Sequence, residues 1–289
     1  MVISARTRVC AVIGDPVEHS LSPAIHNAAF QSCGLDLVYT AFHVRRGEVG
    51  GALEGVRSLG IRGLSVTIPH KVDILPLLDE VEPLARRIGS VNTVVNRQGR
   101  LAGFSTDGPG ALRALAAERV EVAGSPILLL GSGGAARAIA FALADLDPAP
   151  QLRILGVEMV EVTRLGTDLQ TKAGALVSWA PLDPDQLAQG IHDAQIVIHA
   201  TPIGMAPKTD ASLIPEGLIR SGQVVFDAVY TPFETKLLRM AREAGARIVP
   251  GLGMFVNQAA IQFELWTERG APVEVMTQAV RRALNGEQP

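Results

Sequence analysis

The chain has 289 residues, of which 47% are apolar and 19% are charged, and its formal net charge at pH 7 is −3. This length predicts about two domains, and the composition excludes an intrinsically disordered chain. The slightly negative charge argues against nucleic acid and anionic membranes as partners. The aromatic content of 4% argues against a stacking platform for single-stranded nucleic acid.

Cysteine spacing and hydropathy indicate the cellular compartment in which the protein works. Cys10 and Cys33 fit no metal-ligand spacing and no disulfide framework, which indicates free thiols in a reducing compartment. No apolar run approaches the ~18 residues that a membrane helix requires, and the first residues lack the pattern of a secretion signal. We therefore expect a soluble cytoplasmic protein that has no resident metal.

Short aliphatic runs alternate with longer helical patterns along the chain. The predicted strands are 8–14, 37–44, 61–67, 92–97, 126–130, 151–155, 195–200, 223–228 and 246–249. The predicted helices are 23–33, 47–59, 106–119, 133–145, 184–190, 232–244 and 254–268. This rhythm predicts an α/β chain with parallel sheets.

The first polar cluster follows the first predicted strand. Ser20 and Ser22 lie two residues apart in an extended stretch ahead of a predicted helix. Two hydroxyls in this arrangement could bind a carboxylate together. The alternative is helix capping, because Ser-Pro is a common helix start.

A second and a third cluster lie at the ends of later strands. Ser65 and Thr67 share one face of a predicted strand, and Lys71 follows at the corner toward a helix. Lys71 could donate a proton to a reacting oxygen, or it could be an ordinary surface lysine. Asn92 opens the next strand, and Asp107 could cap a helix or form a proton-transferring pair with a lysine.

The segment 126–144 combines a buried strand, a glycine-rich turn and an apolar helix. Gly131, Gly133 and Ala136 fit the G-x-G-x-x-G/A pattern in its strand–turn–helix context. This pattern predicts a dinucleotide-binding turn in which the helix N-terminus faces a pyrophosphate. The alternative is a glycine-rich helix start that serves only close packing.

The residues that would contact the adenosine ribose are ambiguous. Glu158 follows the second strand of this unit and could accept a hydrogen bond from a ribose 2′-hydroxyl. Arg153 or Arg164 could instead meet a 2′-phosphate, and each of the three could be a plain solvated charge. Further along, Tyr230 lies in a loop after a strand, and Gln258 lies in an apolar helix pattern and needs a polar partner.

Eight ordered motifs together resemble the shikimate dehydrogenase family, which includes shikimate and quinate dehydrogenases. They are HSLSPAIHN (19–27), SVTIPHK (65–71), GSVNTV (89–94), STDG (105–108), GSGGAAR (131–137), ATPIGM (200–205), DAVYTPFET (227–235) and GLGMFVNQAA (251–260).

The resemblance implies two α/β domains with a cleft between them. Residues 1–106, completed by C-terminal helices in 251–289, would form a substrate-binding domain with a mostly parallel sheet. Residues 107–250 would form a Rossmann-type NAD(P)-binding domain. We expect a monomer or a homodimer.

The implied activity is reversible NADP(H)-dependent reduction of 3-dehydroshikimate to shikimate, in chorismate and aromatic amino acid biosynthesis. Lys71 and Asp107 would be catalytic. The implied substrate-binding residues are Ser20, Ser22, Ser65, Thr67, Asn92, Tyr230 and Gln258. The implied cofactor-binding residues are Gly131, Ser132, Gly133, Gly134, Ala135, Glu158, Ala228 and Gly251.

The sequence departs from the family pattern at three places. Ser65 and Ser105 stand where many members carry Asn. The Asn-Arg-Thr segment that holds the NADP 2′-phosphate in many members is missing, and residues 156–158 (Gly-Val-Glu) occupy its place. Because a carboxylate repels a phosphate dianion, NAD(H) becomes possible as the cofactor.

Three alternative functions remain open. One is an NAD-dependent quinate/shikimate dehydrogenase, for which Glu158 is the motive. The second is a non-catalytic dinucleotide-binding regulator, which an intact Lys71 and Asp107 disfavour. The third is another two-domain dehydrogenase, such as a methylenetetrahydrofolate type.

Overall fold

The computed structural model describes residues 3–285, which divide into two compact units. One unit holds the described residues up to Thr106 and those from Val256 onward, and the other holds Asp107–Phe255. The sequence placed the second boundary after residue 250, whereas the units divide after Phe255, within a helix that spans Gly251–Thr267.

The first unit is built on a six-stranded mixed sheet. Its strands are β1 (Arg8–Gly14), β2 (Leu37–His43), β3 (Gly63–Val66), β4 (Glu80–Val81), β5 (Thr93–Arg97) and β6 (Arg100–Phe104). The strand order is β2-β1-β3-β5-β6-β4. Strands β1, β2 and β3 are mutually parallel, β5 runs antiparallel to β3 and β6, and β4 is parallel to β6. The carboxyl end of β3 therefore lies beside the start of β5.

Helices cover this sheet and bury an aliphatic core. They are α1 (Ser22–Ser32), α2 (Val49–Ser58), α3 (Pro83–Ile88), the last part of α9 (Gly251–Thr267) and α10 (Val273–Leu284), with one 3₁₀ turn at Leu75–Leu77. The α2 residues Leu53 and Val56, three positions apart, pack into a core that includes Leu64 of β3 and Val94 of β5. Burial of this core fixes the strands whose ends carry the polar clusters.

The second unit is a doubly wound parallel sheet. Its strands are β7 (Pro126–Leu130), β8 (Gln151–Gly156), β9 (Val177–Pro181), β10 (Ile196–His199), β11 (Val224–Asp227) and β12 (Arg247–Pro250). Their order is β12-β11-β10-β7-β8-β9, and every pairing is parallel. This is the Rossmann order, so the prediction of two α/β domains with a Rossmann-type sheet is confirmed.

The helices of the second unit are α4 (Asp107–Ala117), α5 (Gly134–Ala144), α6 (Met159–Ala173), α7 (Pro184–Asp193) and α8 (Lys236–Glu243). Helix α8 begins at Lys236 rather than at the expected residue 232. The reason is an N-cap, since the hydroxyl of Thr235 accepts a hydrogen bond from Leu238 N at 3.3 Å. Within residues 3–285, no helix is long and apolar enough to cross a membrane.

Candidate active site

Three predicted residues of the first unit converge at one edge of its sheet. Thr67 directly follows β3, and its amide donates to Ile13 O at the end of β1, at 3.0 Å. Lys71 lies in the turn beyond, where its carbonyl accepts a hydrogen bond from Val91 N at 2.8 Å. Since Val91 directly precedes Asn92, the backbone brings Lys71 beside the start of β5.

Asn92 is buried in a polar network rather than in the aliphatic core. Its Nδ2 donates to Thr106 Oγ1 at 2.9 Å, and its Oδ1 accepts from Thr106 N at 2.8 Å. Thr106 Oγ1 in turn lies 3.5 Å from Gln258 Oε1, to which it donates. Gln258, on α9, thus has the polar partner that its apolar surroundings require.

A second buried network surrounds Ser65. The hydroxyl of Tyr39 donates to Ser65 Oγ at 2.6 Å, and Ser65 Oγ donates to Gln262 Oε1 at 2.8 Å. Gln262 also accepts from His26 Nε2 at 3.3 Å and donates to Thr93 Oγ1 at 3.0 Å. Because the only hydroxyl proton of Ser65 is used by Gln262, Ser65 could reach a ligand only as an acceptor.

Burial fixes the protonation of this network. It lowers the pKa of His26 to about 3, against the weaker opposing effect of its hydrogen bond to Gln262. It also raises the pKa of Tyr39 above its ordinary value. Both groups are therefore neutral at physiological pH. Sequence reasoning missed Gln262, although its spacing of four from Gln258 places both amides on one face of α9.

Ser20 and Ser22 lie at the N-terminus of α1. Ser20 Oγ accepts a hydrogen bond from Ser22 N at 3.3 Å, and Ser22 is buried. The N-cap position belongs to Leu21, whose side chain forms no cap hydrogen bond. Ser22 therefore does not occupy the N-cap position that the capping alternative assigned to it. A helix N-terminus with two adjacent hydroxyls is suited to a carboxylate.

The glycine-rich turn of the second unit joins β7 to α5. Gly131 has φ +113°, and a Cβ there would lie 2.8 Å from Ala200 O, so this position requires glycine. A Cβ on Gly133 or Gly134 would meet nothing within 4 Å, and no side chain caps α5. Open space in front of free helix amides fits a pyrophosphate, with Ser132 and Ala135 completing the turn.

A second part of this unit gathers Ala228, Tyr230 and Gly251. A Cβ on Gly251 would lie 2.6 Å from Ala228 O, which shows how closely the start of α9 approaches the segment after β11. The ring of Tyr230 stacks on Phe255 with centroids 4.6 Å apart, and burial raises the pKa of the phenol. Tyr230 therefore stays protonated and can donate a hydrogen bond.

A buried His–Asp pair lies at the ends of β10 and β11, and the sequence analysis did not predict it. His199 Nδ1 donates to Asp227 Oδ1 at 2.9 Å, and the hydroxyl of Thr201 donates to His199 Nε2. Asp227 also accepts from Val229 N at 3.0 Å and from the Thr235 hydroxyl at 2.6 Å. The pair thereby fixes the turn after β10, which lies against Gly131, and the segment that carries Ala228 and Tyr230.

The predicted catalytic residues belong to different units. Lys71 is half-buried in the first unit, and Asp107, also half-buried, is the first residue of α4 in the second. Glu158 is exposed at the start of α6. Among residues 3–285, no group of three or more His, Cys, Asp or Glu side chains is arranged to hold a metal ion.

Two family models match parts of the chain. A model described as the shikimate dehydrogenase substrate binding domain matches residues 12–94. A model described as the shikimate 5′-dehydrogenase C-terminal domain matches residues 251–281. The matched segments include Ser20, Thr67, Lys71 and Gln258.

Whole-chain comparisons agree with these matches. A shikimate dehydrogenase (NADP+) of Methanopyrus kandleri is 45% identical over 98% of both chains. A shikimate dehydrogenase crystallised in complex with NADP+ is 39% identical, with a TM-score of 0.92 over 98% of both chains. The enzyme of Listeria monocytogenes, crystallised with shikimate and NAD, is 35% identical, with a TM-score of 0.92 over 96% of this chain and 98% of its own.

Proposed function

The chain belongs to the shikimate dehydrogenase family, and on that premise we propose that it catalyses the reversible reduction of 3-dehydroshikimate to shikimate by a nicotinamide dinucleotide. The observation that carries the proposal is that Thr67, Lys71 and Asn92 converge at one edge of the sheet. The chain that places them there is similar to shikimate dehydrogenases over almost its whole length. The reaction belongs to the chorismate route to aromatic amino acids.

Lys71 is the proposed proton donor. During reduction, negative charge develops on the carbonyl oxygen of the substrate. The ammonium of Lys71 stabilises that charge and then protonates the oxygen; in the oxidative direction, the neutral amine accepts the proton. The hydrogen bond from Val91 N to the carbonyl of Lys71 supports this role, because it fixes the backbone from which the side chain extends.

Asp107 is the proposed partner of Lys71. Its carboxylate would orient the ammonium of Lys71 and align a ring hydroxyl of the substrate. Its position as the first residue of α4 supports this role, since the positive end of a helix dipole interacts favourably with a carboxylate.

The remaining polar residues are proposed to hold the substrate. Ser20 and Ser22, at the start of α1, would bind its carboxylate. Thr67, Asn92 and Gln258 would contact ring hydroxyls at the sheet edge. Tyr230 would donate a hydrogen bond from the second unit, and Ser65 would accept one or act through Gln262.

The glycine-rich turn is proposed to bind the dinucleotide. Residues 131–135 would hold the pyrophosphate through backbone amides, and Ala228 and Gly251 would line the nicotinamide site. When bound, the nicotinamide supplies or accepts the hydride. The family relation indicates NADP(H) as the cofactor, since the curated relatives are named NADP+ enzymes, and the residues at the end of β8 leave NAD(H) as the alternative. We also propose that the protein is cytoplasmic, which the two free thiols support, and that it acts as a monomer or homodimer.

A steady-state assay of dinucleotide reduction tests the proposal. Purified protein should reduce NADP+ or NAD+ when shikimate is added, and quinate should be oxidised more slowly. A quinate rate that exceeds the shikimate rate would instead favour the quinate/shikimate alternative, which the exposed Glu158 motivates. Tight dinucleotide binding without turnover on either acid would favour the non-catalytic regulator.

A further inference from the structure

The part of the second unit that would meet the adenosine ribose lies where β8 ends. In a Rossmann unit, a carboxylate there accepts a hydrogen bond from the ribose 2′-hydroxyl, whereas an arginine donates hydrogen bonds to a 2′-phosphate. The amide of Gly131 donates to Leu155 O at 2.8 Å, so the end of β8 lies against the glycine-rich turn. A Cβ on Gly156 would lie 3.5 Å from Ser132 Oγ, which places the next residues beside that turn.

The side chains at this corner are acidic or apolar. Val157 is 73% exposed and offers no charge. Glu158 is exposed, and its carboxylate does not cap α6. Glu161, one turn into α6, has its Oε2 3.5 Å from Ser132 Oγ, which donates to it. Two carboxylates therefore flank the place where the ribose would lie.

Two nearby arginines are engaged elsewhere. Arg153 donates to Gln186 Oε1 at 2.6 Å and lies 3.8 Å from Asp193, both on α7. Arg137 pairs with Asp168 at 2.6 Å, and its guanidinium lies 5.1 Å from the centre of the Phe141 ring. Arg164 is exposed on α6, three residues beyond Glu161. It is the arginine that could still bind a 2′-phosphate, so its substitution is one of the tests.

We infer that this chain does not select for the 2′-phosphate and binds NAD(H) at least as tightly as NADP(H), with Glu158 and Glu161 as the specificity-determining residues. A 2′-phosphate carries a charge of about −2 and would meet like charges here. A ribose 2′-hydroxyl can donate a hydrogen bond to either carboxylate. The residues thus fit the pyrophosphate that both dinucleotides share, but not the phosphate that distinguishes NADP. The inference rests on the proposed function for the identity of the ligand.

Isothermal titration calorimetry of the whole chain with NAD+ and with NADP+ tests this without relying on turnover. We expect the dissociation constant of NADP+ divided by that of NAD+ to be one or more. Salt screens repulsion, so the ratio should fall toward one as ionic strength rises. A site that attracts the 2′-phosphate would show a ratio below one that rises with salt, and this result would overturn the inference.

Variants identify the responsible charges. Glu161→Arg should tighten NADP+ binding by about tenfold or more and change NAD+ binding by less than about threefold. Glu161→Gln should produce a smaller change in the same direction. The control Glu243→Arg, with the same charge change at an exposed residue at the end of α8, should change neither constant.

Other results contradict the inference or its premise. Selective loss of NADP+ affinity in Arg164→Ala would show that Arg164 reads the 2′-phosphate, and would overturn the inference. Unchanged NADP+ affinity in Glu161→Arg and in Glu158→Arg would do the same. Failure of the wild-type chain to bind either dinucleotide would instead refute the proposed function, and with it this inference.

Discussion

Lys71 is the side chain to which the proposed reaction assigns the proton. Replacement of Lys71 by Ala should lower kcat by roughly 10²–10⁴ and change the KM for shikimate little, because the amine acts on the transition state. Steady-state kinetics with saturating dinucleotide measures both constants. The control is Lys172→Ala, which removes an exposed lysine that pairs with Asp168 on α6. Near-normal turnover of the Lys71 variant would exclude the assigned role.

His199 and Asp227 form a buried hydrogen-bonded pair whose loss should lower the stability of the fold. His199→Ala leaves the Asp227 carboxylate without one of its donors in a site that is 0% exposed, so the free energy of unfolding should fall by about 3 kcal/mol. His199→Asn retains a side-chain donor and should lose less. Urea denaturation of the three proteins measures the difference. Equal stability of the wild type and His199→Ala would show that the pair does not hold this region.

At the scale of elements, the packing of Trp266 on β3 makes a sharp comparison between two glycines. A Cβ on Gly63 would lie 2.1 Å from Trp266 Nε1, which also donates to Val94 O at 3.0 Å. Gly63→Ala should therefore lower the free energy of unfolding by about 1–3 kcal/mol, which is the usual cost of an overpacked core. A Cβ on Gly55, within α2, would meet nothing, so Gly55→Ala should raise stability by about 0.5–1 kcal/mol.

Chemical denaturation of the two alanine variants provides the test. Changes of opposite sign in the free energy of unfolding of the two variants would support the packing of Trp266 against β3. An unchanged free energy of unfolding in Gly63→Ala would mean that the indole of Trp266 does not pack closely on β3.

Elements differ in how far sequence predicts them. Strand β7 and helix α5 are predictable because a buried aliphatic run, a glycine turn and an apolar helix are all local signals. Helix α6 was missed, since its first turn exposes Val160, although Val162, Leu165 and Leu169 then form a regular apolar stripe. Strand β9 was missed because it is a partly exposed edge strand that pairs only with β8.

The site shows the same contrast. Lys71, Asn92 and Gln258 were found from motifs, because each follows or opens a recognisable element. The contacts among Ser65, Gln262 and Tyr39 join distant parts of the chain, so no local pattern specifies them. Side-chain networks of this kind depend on packing, and only the folded structure reveals their partners.

At the scale of the whole molecule, burial of a neutral histidine makes stability depend on pH. The folded chain holds the pKa of His26 at about 3, whereas an unfolded histidine titrates near 6.5. Between these values the unfolded state binds more protons, so the free energy of unfolding falls as pH decreases below about 6.5. This group contributes up to about 1.4 kcal/mol per pH unit.

Urea titrations at several pH values between 7 and 4 measure this slope. His26→Gln keeps a donor for Gln262 but cannot titrate, so its stability should fall less steeply with acid. Parallel slopes for the two proteins would show that His26 takes up its proton equally well in the folded state.

This chain is expected to interconvert shikimate and 3-dehydroshikimate while a nicotinamide dinucleotide is reduced or oxidised. The most direct measurement incubates the wild-type protein with shikimate and dinucleotide and quantifies both products by chromatography. We predict that 3-dehydroshikimate and reduced dinucleotide form in equal amounts, and that Lys71→Ala forms neither at a comparable rate. Shikimate recovered unchanged beside a fully oxidised dinucleotide, from protein shown to be folded, would contradict the claim.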